Sequence, residues 1–298
     1  MILGGYMYNY LVDDLKKGIN IEEISCKYCF NNEKKVGELI RNLQNMGFLI
    51  EKKIDINGNI YFRLNNDINE EINIDGIENY FKFIIISDLH IGSNMDGIKY
   101  MDMVYDYAMK NDIHHIFVLG DLFEGAKENS KYNVIEKQTK LFFDKYPFKS
   151  DIINYVLFGN HDYSFFNYLS VDISKIINSR PDIIYLGTGL GKIKILDNYL
   201  AFQHDLVITK PLQDIGDYKL LFAGHSHKFE ICDNKILVPA LATSKFYNNI
   251  ISTGFLEVEL LLDNNIKCSI RHLIFNNDVK LINQIYLNDI KTKVKKKI

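Results

Sequence analysis

Five apolar runs in this sequence break off in the same manner. FKFIII (81–86) is followed by SDLHIG, HIFVL (115–119) by GDLFEG, IINYVLF (152–158) by GNHD, YLAF (199–202) by QHD and KLLFA (219–223) by GHSH. Runs this short, rich in Ile, Val, Leu and Phe and closed by a polar cluster, read as strands. Helical periodicity occupies intervals between them at 97–110, 131–146 and 164–179, so the alternation predicts an α/β sheet. Sheets of that kind collect their functional groups beyond the carboxyl ends of the strands. The five polar motifs are therefore expected to converge on one site.

Further strand-like runs are IIYLG (183–187) and IKIL (193–196), and after 227 the chain reads as strands and turns only. With 298 residues and 47% hydrophobic content the chain can bury a full-sized core and a smaller one. No run of about 18 apolar residues occurs. The opening MILGGYMYNYLVDD lacks the basic and long apolar segments of a signal peptide, so a cytoplasmic protein with no membrane partner is expected. Cys26, Cys29, Cys232 and Cys268 are too sparse for a disulfide framework, and the Cys26–Cys29 pair at helical spacing reads as two small core residues.

Residues 1–65 have a different texture. Helical patterns, one of them opened by an Asn cap at NIEEISCKYCF and another carrying Val36, Leu39, Ile40, Leu43 and Met46 on one face, give way to a period of two in FLIEKKIDINGNIYFRL. Asn57-Gly58 fits a type I′ hairpin turn. Helices followed by a hairpin resemble the winged-helix variety of helix-turn-helix domain, with 32–46 as the recognition-type helix and 52–63 as the wing. Lys34, Lys35 and Arg41 on that helix, and Lys52, Lys53 and Arg63 on the wing, are candidate contacts to nucleic-acid phosphates. The overall charge of -3 gives no global signature for a polyanion, so DNA binding rests on these local clusters, and such domains also dock protein partners. The expected organisation is a winged-helix-like domain at 1–65, an acidic linker at 66–79, a catalytic domain at 80–280 and a C-terminal segment at 281–298 ending in the basic tail KTKVKKKI.

The chemistry lies in the strand-end motifs. Asp, Asn and His side chains without thiolates make a ligand set of intermediate hardness, suited to Mn²⁺, Fe²⁺ or Zn²⁺. The order Asp-x-His, Gly-Asp, Gly-Asn-His-Asp, His and Gly-His-x-His over about 81 to 245 resembles the calcineurin-like metallophosphoesterase superfamily. That resemblance implies a two-sheet αββα sandwich and a dinuclear site in which Asp88, His90 and His227 hold one ion, Asn160, His204 and His225 the other, and Asp121 bridges both. It places His161 beside the scissile phosphate, to protonate the leaving oxygen or to stabilise charge on the equatorial oxygens. Two divalent ions, Mn²⁺ foremost, would clamp the phosphate oxygens and neutralise the charge of an in-line displacement. The chain departs from the family at Asp205, which follows His204 where glycine is common. Glu124, following GDLF, could touch substrate or ligands, with an exposed loop carboxylate as the favoured reading. His114 and His115 open a strand and so lie roughly 20 Å from its far end, and His272 has no assigned role.

GDLFEG and GNHD lack the phosphate-binding Arg motif of the Ser/Thr phosphatase branch. GDLF with GNHD is closest to the DNA repair exonuclease branch, and SDLHIGS is similar to exonuclease-type small subunits of archaeal polymerases. These likenesses imply a nuclease whose substrate is recruited by the winged helix. Two alternatives stay open: a phosphomonoesterase or pyrophosphohydrolase acting on a small molecule, with a protein-docking winged helix, and a non-enzymatic regulator.

Overall fold

Ile84, Ile86, Ile116, Val118 and Val156 share one buried cluster, while Phe83, Ile85, Phe117, Leu119, Tyr155 and Leu157 share another. Side chains alternate across a strand, so the two clusters are the two faces of a single sheet. That is why these runs are apolar throughout. The computed structural model describes residues 10–12, 14–32, 35–37, 39–40, 43, 50–54, 60–64, 72–74, 77–205, 217–242, 245–246, 249–250, 253–262, 266–276, 278–288 and 290. They fall into two compact units, one on residues 1–67 and the other on 68–205 and 212–298.

The smaller unit contains β1 (Ile19–Asn20), α1 (Ile21–Tyr28), β2 (Ile50–Ile54) and β3 (Ile60–Leu64), with helical backbone also at 10–12, 14–17, 35–37, 39–40 and 43. Its strands form an antiparallel sheet in the order β1-β3-β2. Asn20 caps α1, its side chain accepting from the Glu23 amide at 2.7 Å. Leu11, Leu15, Ile24, Val36, Leu39, Ile40, Leu43, Ile50 and Phe62 make the core. Cys29 is buried with them but Cys26 is exposed, so only one of the pair is a core residue. The Asn57-Gly58 turn, Met46, Lys34, Arg41 and the tail at 291–298 lie outside the described residues, as do the side chains of Lys52, Lys53 and Arg63 on β2 and β3.

The larger unit runs β4 (Ile72–Asn73), β5 (Tyr80–Ile86), α2 (Met101–Lys110), β6 (His115–Leu119), α3 (Asn133–Lys145), β7 (Ile153–Phe158), α4 (Asn160–Leu169), α5 (Ser174–Ile177), β8 (Ile183–Thr188), β9 (Leu190–Ile195) and β10 (Asn198–Gln203). It continues through β11 (Leu220–Ala223), β12 (Glu230–Cys232), β13 (Lys235–Leu237), β14 (Lys245–Phe246), β15 (Asn249–Ile250), β16 (Gly254–Leu262), β17 (Ile266–Asn276) and β18 (Asp278–Leu287). One sheet has the order β18-β17-β16-β5-β6-β7-β8 and a second the order β12-β13-β11-β10-β9-β4. Strands β5 to β8 are parallel, which sends the ends of β5, β6 and β7 to one edge, and β10 and β11 are parallel in the facing sheet. Residues of α2, α3, α4 and α5 pack in the first cluster and those of the second sheet in the other. The described residues therefore build three layers, helix on sheet on sheet, and a second outer helical layer is not found among them. No helix among the described residues is long and apolar enough to cross a membrane.

The helix expected at 164–179 is two helices, starting at Asn160 and separated by Ser170 with a left-handed φ of 56°. At the end of β7 away from the polar motifs, a buried polar network fixes the sheet to its helices. Asn154 Oδ1 accepts from the hydroxyls of Tyr105 at 3.1 Å and Tyr146 at 3.0 Å, while its Nδ2 donates to Asp182 Oδ2 at 3.2 Å. Asp182 in turn accepts from Arg180 Nε at 3.0 Å and from an Arg180 terminal nitrogen at 2.7 Å. Asp182→Ala leaves the buried guanidinium without its counter-ion and is expected to cost about 3 kcal/mol in urea unfolding, with divalent-ion binding of the folded protein unchanged.

Candidate metal centre

The chain leaves β5, β6 and β11 by left-handed turns. Asp88, His90, Asp121, His225 and His227 have φ between 49° and 73°. Such backbone costs a non-glycine residue on the order of 1–3 kcal/mol, although Asp and His tolerate it better than most. Eleven described non-glycine residues have positive φ, and these five meet at one site, so the strain is concentrated where the polar motifs converge. Backbone hydrogen bonds hold the turns: the Asp88 amide donates to Gly120 O at 3.0 Å, the His90 amide to Asp121 O at 2.9 Å and the Ala242 amide to Asp88 O at 2.9 Å.

These turns and the end of β10 bring three imidazoles to two carboxylates. Asp88 Oδ1 lies 3.1 Å from His227 Nε2, 3.9 Å from His204 Nε2 and 4.0 Å from His90 Nε2. Asp121 Oδ2 lies 3.2 Å from His204 Nε2 and 3.8 Å from His90 Nε2. His225 Nδ1 is 3.1 Å from Asn160 Oδ1, and its backbone amide donates to Asp88 Oδ2 at 3.1 Å. The His161 amide donates to Asp121 Oδ1 at 2.9 Å, and its ring stands edge-on to His90 with centroids 4.6 Å apart. All eight side chains singled out in the strand-end motifs are thus brought to one place. Their ligand atoms fall into three overlapping groups: Asp88, His90 and His227; His90, Asp121 and His161; Asp121, His204 and His225.

Three glycines make room for this packing. A Cβ on Gly120 would meet His204 Nδ1 at 2.2 Å, one on Gly159 would meet Asp121 Oδ1 at 2.3 Å, and one on Gly224 would meet Ser87 Oγ at 2.2 Å and His204 Nδ1 at 2.8 Å. The glycine in each of GDLF, GNHD and GHSH is therefore the space occupied by its neighbours' side chains.

The donor set fits divalent cations. His204 is wholly buried, and its Nδ1 sits 2.7 Å from Leu119 O, a group that only accepts, so Nδ1 carries the hydrogen. The neutral ring then points the Nε2 lone pair at Asp121 Oδ2 in a space closed to water, which demands a positive charge between them. In the ion-free protein a proton supplies it. Burial lowers the affinity of His204 for that proton, but Asp121 and Asp88 outweigh burial and push the group up to about 10. Burial likewise opposes charge on Asp88 and Asp121, and the surrounding imidazoles, His204 foremost, hold both carboxyls below the usual carboxylate range. Asp88 Oδ1 is buried within 4.0 Å of both His90 Nε2 and His204 Nε2, close enough for these atoms to share a cation.

Two residues that the sequence left aside support the site. Asp162 accepts from the amides of Gly159 at 2.9 Å, Leu122 at 3.1 Å and Phe123 at 2.8 Å, tying the start of α4 to the loop after β6. It stands at the third position of α4, where an acidic residue after GNH marks a helix start, and that signal was available in the sequence. Burial, reinforced by the charge of Asp121, pushes Asp162 up to about 7 against the pull of its amide donors. Glu124 is half-buried instead of exposed: its Oε2 lies 3.4 Å from His90 Nδ1, and its backbone oxygen accepts from His161 Nδ1 at 2.7 Å. His114 is exposed beside Asp112, and His115 is half-buried at 3.2 Å from the Tyr155 hydroxyl. His272 is buried against the ring of Phe229. Of the candidate phosphate contacts, Lys35 is exposed on helical backbone, Lys34 and Arg41 lie outside the described residues, and Lys52, Lys53 and Arg63 are described in their backbone alone.

Gly159 has φ -99° and ψ -168°, which alanine adopts without strain, so Gly159→Ala tests the close packing alone. It is expected to weaken divalent-ion binding at least tenfold by calorimetry while costing roughly 1–3 kcal/mol of stability. Gly37→Ala, with nothing within 4 Å of the added carbon, should leave ion binding unchanged.

Three solved structures align with this chain. GAP50, the anchor in the inner membrane complex of Plasmodium, aligns over 73% of this chain and 91% of its own at 14% identity and TM-score 0.48. Pseudomonas putida nuclease MPE aligns over 67% and 87% at 16% identity and TM-score 0.36. A phosphatase of Mycoplasma pneumoniae aligns over 71% and 94% at 13% identity and TM-score 0.32. No curated protein matches the chain significantly in sequence. The model of the calcineurin-like phosphoesterases matches residues 81–229, which is half of the 298 residues and holds every side chain of the cluster. The chain therefore belongs to the calcineurin-like phosphoesterases, hydrolases of phosphoric esters that bind two divalent metal ions.

Proposed function

We propose that this protein is a dinuclear metal-dependent phosphodiesterase whose substrate is DNA. The observation that carries the catalytic part is the buried convergence of Asp88, Asp121 and the Nε2 atoms of His90, His204 and His227. In this reading Asp88, His90 and His227 hold one ion, Asn160, His204 and His225 the other, and Asp121 serves both. Two divalent ions supply Lewis-acid polarisation of the phosphate and neutralise the charge of the displacement.

The chain's own groups do the rest. Leu119 O fixes the His204 ring in the tautomer that presents Nε2. Glu124 O fixes His161 in the same way through Nδ1, leaving His161 Nε2 as the atom that faces substrate. When that ring is protonated, Nε2 holds the proton that the leaving oxygen takes up as the ester bond breaks. The half-buried Glu124 carboxylate beside His90 Nδ1 keeps the second ring oriented.

The preference for DNA is supported by GDLF with GNHD, by SDLHIGS, and by the helices and hairpin of the smaller unit, which we read as a winged helix that recruits the duplex through Lys34, Lys35, Arg41, Lys52, Lys53 and Arg63. A panel loaded with Mn²⁺, comprising single- and double-stranded DNA, RNA, a phosphodiester dye and a phosphomonoester dye, tests it. Cleavage of DNA and of the diester dye is expected. Fast monoester hydrolysis with DNA left intact would establish the small-molecule reading instead.

Two variants test the division of labour. His161→Asn is expected to keep fold and ion content while lowering diester turnover by about 10² to 10⁴, measured by steady-state kinetics beside elemental analysis. Reversing charge at Lys34, Lys35, Lys52 and Lys53 in the full chain should leave dye hydrolysis unchanged, weaken DNA binding and flatten its salt dependence, because each lost phosphate contact removes roughly one released counterion.

A further inference from the structure

Strand β18 is an open edge. It closes one end of the seven-stranded sheet, with β17 as its only neighbour among the described residues. Nearly all of its ten residues are exposed or half-exposed, and Leu281, Ile282 and Tyr286 expose 50%, 52% and 66% of their surface. Edge strands are ordinarily blunted by proline, by charges, by bulges or by brevity. β18 is long and lacks proline, and residues 281–288, LINQIYLN, carry no charge. A bulge leaves Ile282 without a partner on β17, but Asn283 to Leu287 run in unbroken register with it. The Ile290 amide donates to Ile266 O at 3.3 Å, so the chain leaving β18 continues alongside β17 and does not fold back over the open edge at that point.

We infer that this edge pairs with the β18 edge of a second copy of the chain. From Asn283 to Leu287, beyond the bulge, the outward amides and carbonyls alternate, so an antiparallel twin turned about an axis perpendicular to the sheet meets amide with carbonyl over that stretch. That symmetry places one residue opposite its own counterpart. An axis through Gln284 sets Ile282 against the twin's Tyr286 and Leu281 against its Leu287, which covers the three most exposed apolar side chains together. An axis through Asn283 sets Lys280 over Tyr286 and Leu281 against Ile285. Neither arrangement brings like charges face to face, because Asp278 and Lys280 lie at one end of the strand and meet uncharged residues of the other copy. The pair extends two seven-stranded sheets into one, and since the twofold axis reverses strand direction, the two metal centres open at opposite ends of the joined sheet.

An interface made of one strand lies at the low end of stable association. The expected constant is therefore micromolar, and light scattering after gel filtration should show dimer at about 100 µM and monomer below about 1 µM. Ile282→Lys with Tyr286→Lys replaces side chains that are already exposed, so the thermal midpoint should hold while the dimer disappears. Asn283→Cys and Gln284→Cys, made separately with Cys26→Ser and Cys232→Ser, identify the axis: one of them should oxidise to a disulfide between identical residues of two copies. A chain that stays monomeric at 100 µM overturns the proposal. So does a dimer that survives the two lysines, including one that is lost only when residues 291–298 are removed.

Discussion

Two ionised carboxylates, Asp88 and Asp121, are buried against the ring nitrogens of His90, His204 and His227, and much of the larger unit is arranged around that fact. Charge buried at such density is tolerated only with compensating positive charge at short range. The protein cannot move the carboxylates apart, because each lies two residues past a strand whose register is set by apolar side chains on both faces. Instead it brings imidazole nitrogens to 3.1–4.0 Å from them and fixes one tautomer from behind, through Leu119 O on His204. A site built this way binds cations in its resting geometry.

The same constraint explains the backbone. A strand that continued straight past Ile86 would hold Asp88 and His90 on one face but about 7 Å apart along its axis, whereas the site brings Asp88 Oδ1 and His90 Nε2 to 4.0 Å. Left-handed turns at both positions achieve this, and the amide bonds to Gly120, Asp121 and the 241–242 segment hold the strained conformation in place. Asp162 contributes from the opposite side by joining the first turn of α4 to the loop that carries Asp121 and Glu124. At the far end of β7, the network of Asn154, Asp182 and Arg180 anchors the sheet to its helices, so the strained end is carried by an element fixed at its other end.

The strands were legible because their apolar runs coincide with their hydrogen-bonded extent: HIFVL is β6 in full, and FKFIII and KLLFA differ from β5 and β11 by one residue. The start of α4 was not, because GNHD drew attention as a ligand motif and its role as a helical first turn went unread. Glu124 was misplaced for a related reason. A carboxylate in a Gly-flanked loop ordinarily faces solvent, and nothing local to GDLFEG reports that His90 stands across the loop.

By itself the sequence determined which side chains could meet, since apolar runs buried on both faces must lie in a sheet and the residues that follow them must gather at its carboxyl edge. Only the tertiary structure decided how they meet. The left-handed backbone at five of the positions, the tautomer of His204, the hold of Asp162 on the Leu122 and Phe123 amides, the pairing of Glu124 with His90 and the open edge at β18 depend on atoms contributed by distant segments. Dihedral strain, tautomer choice and edge exposure are properties of packed neighbours, and no local pattern of residue types encodes them.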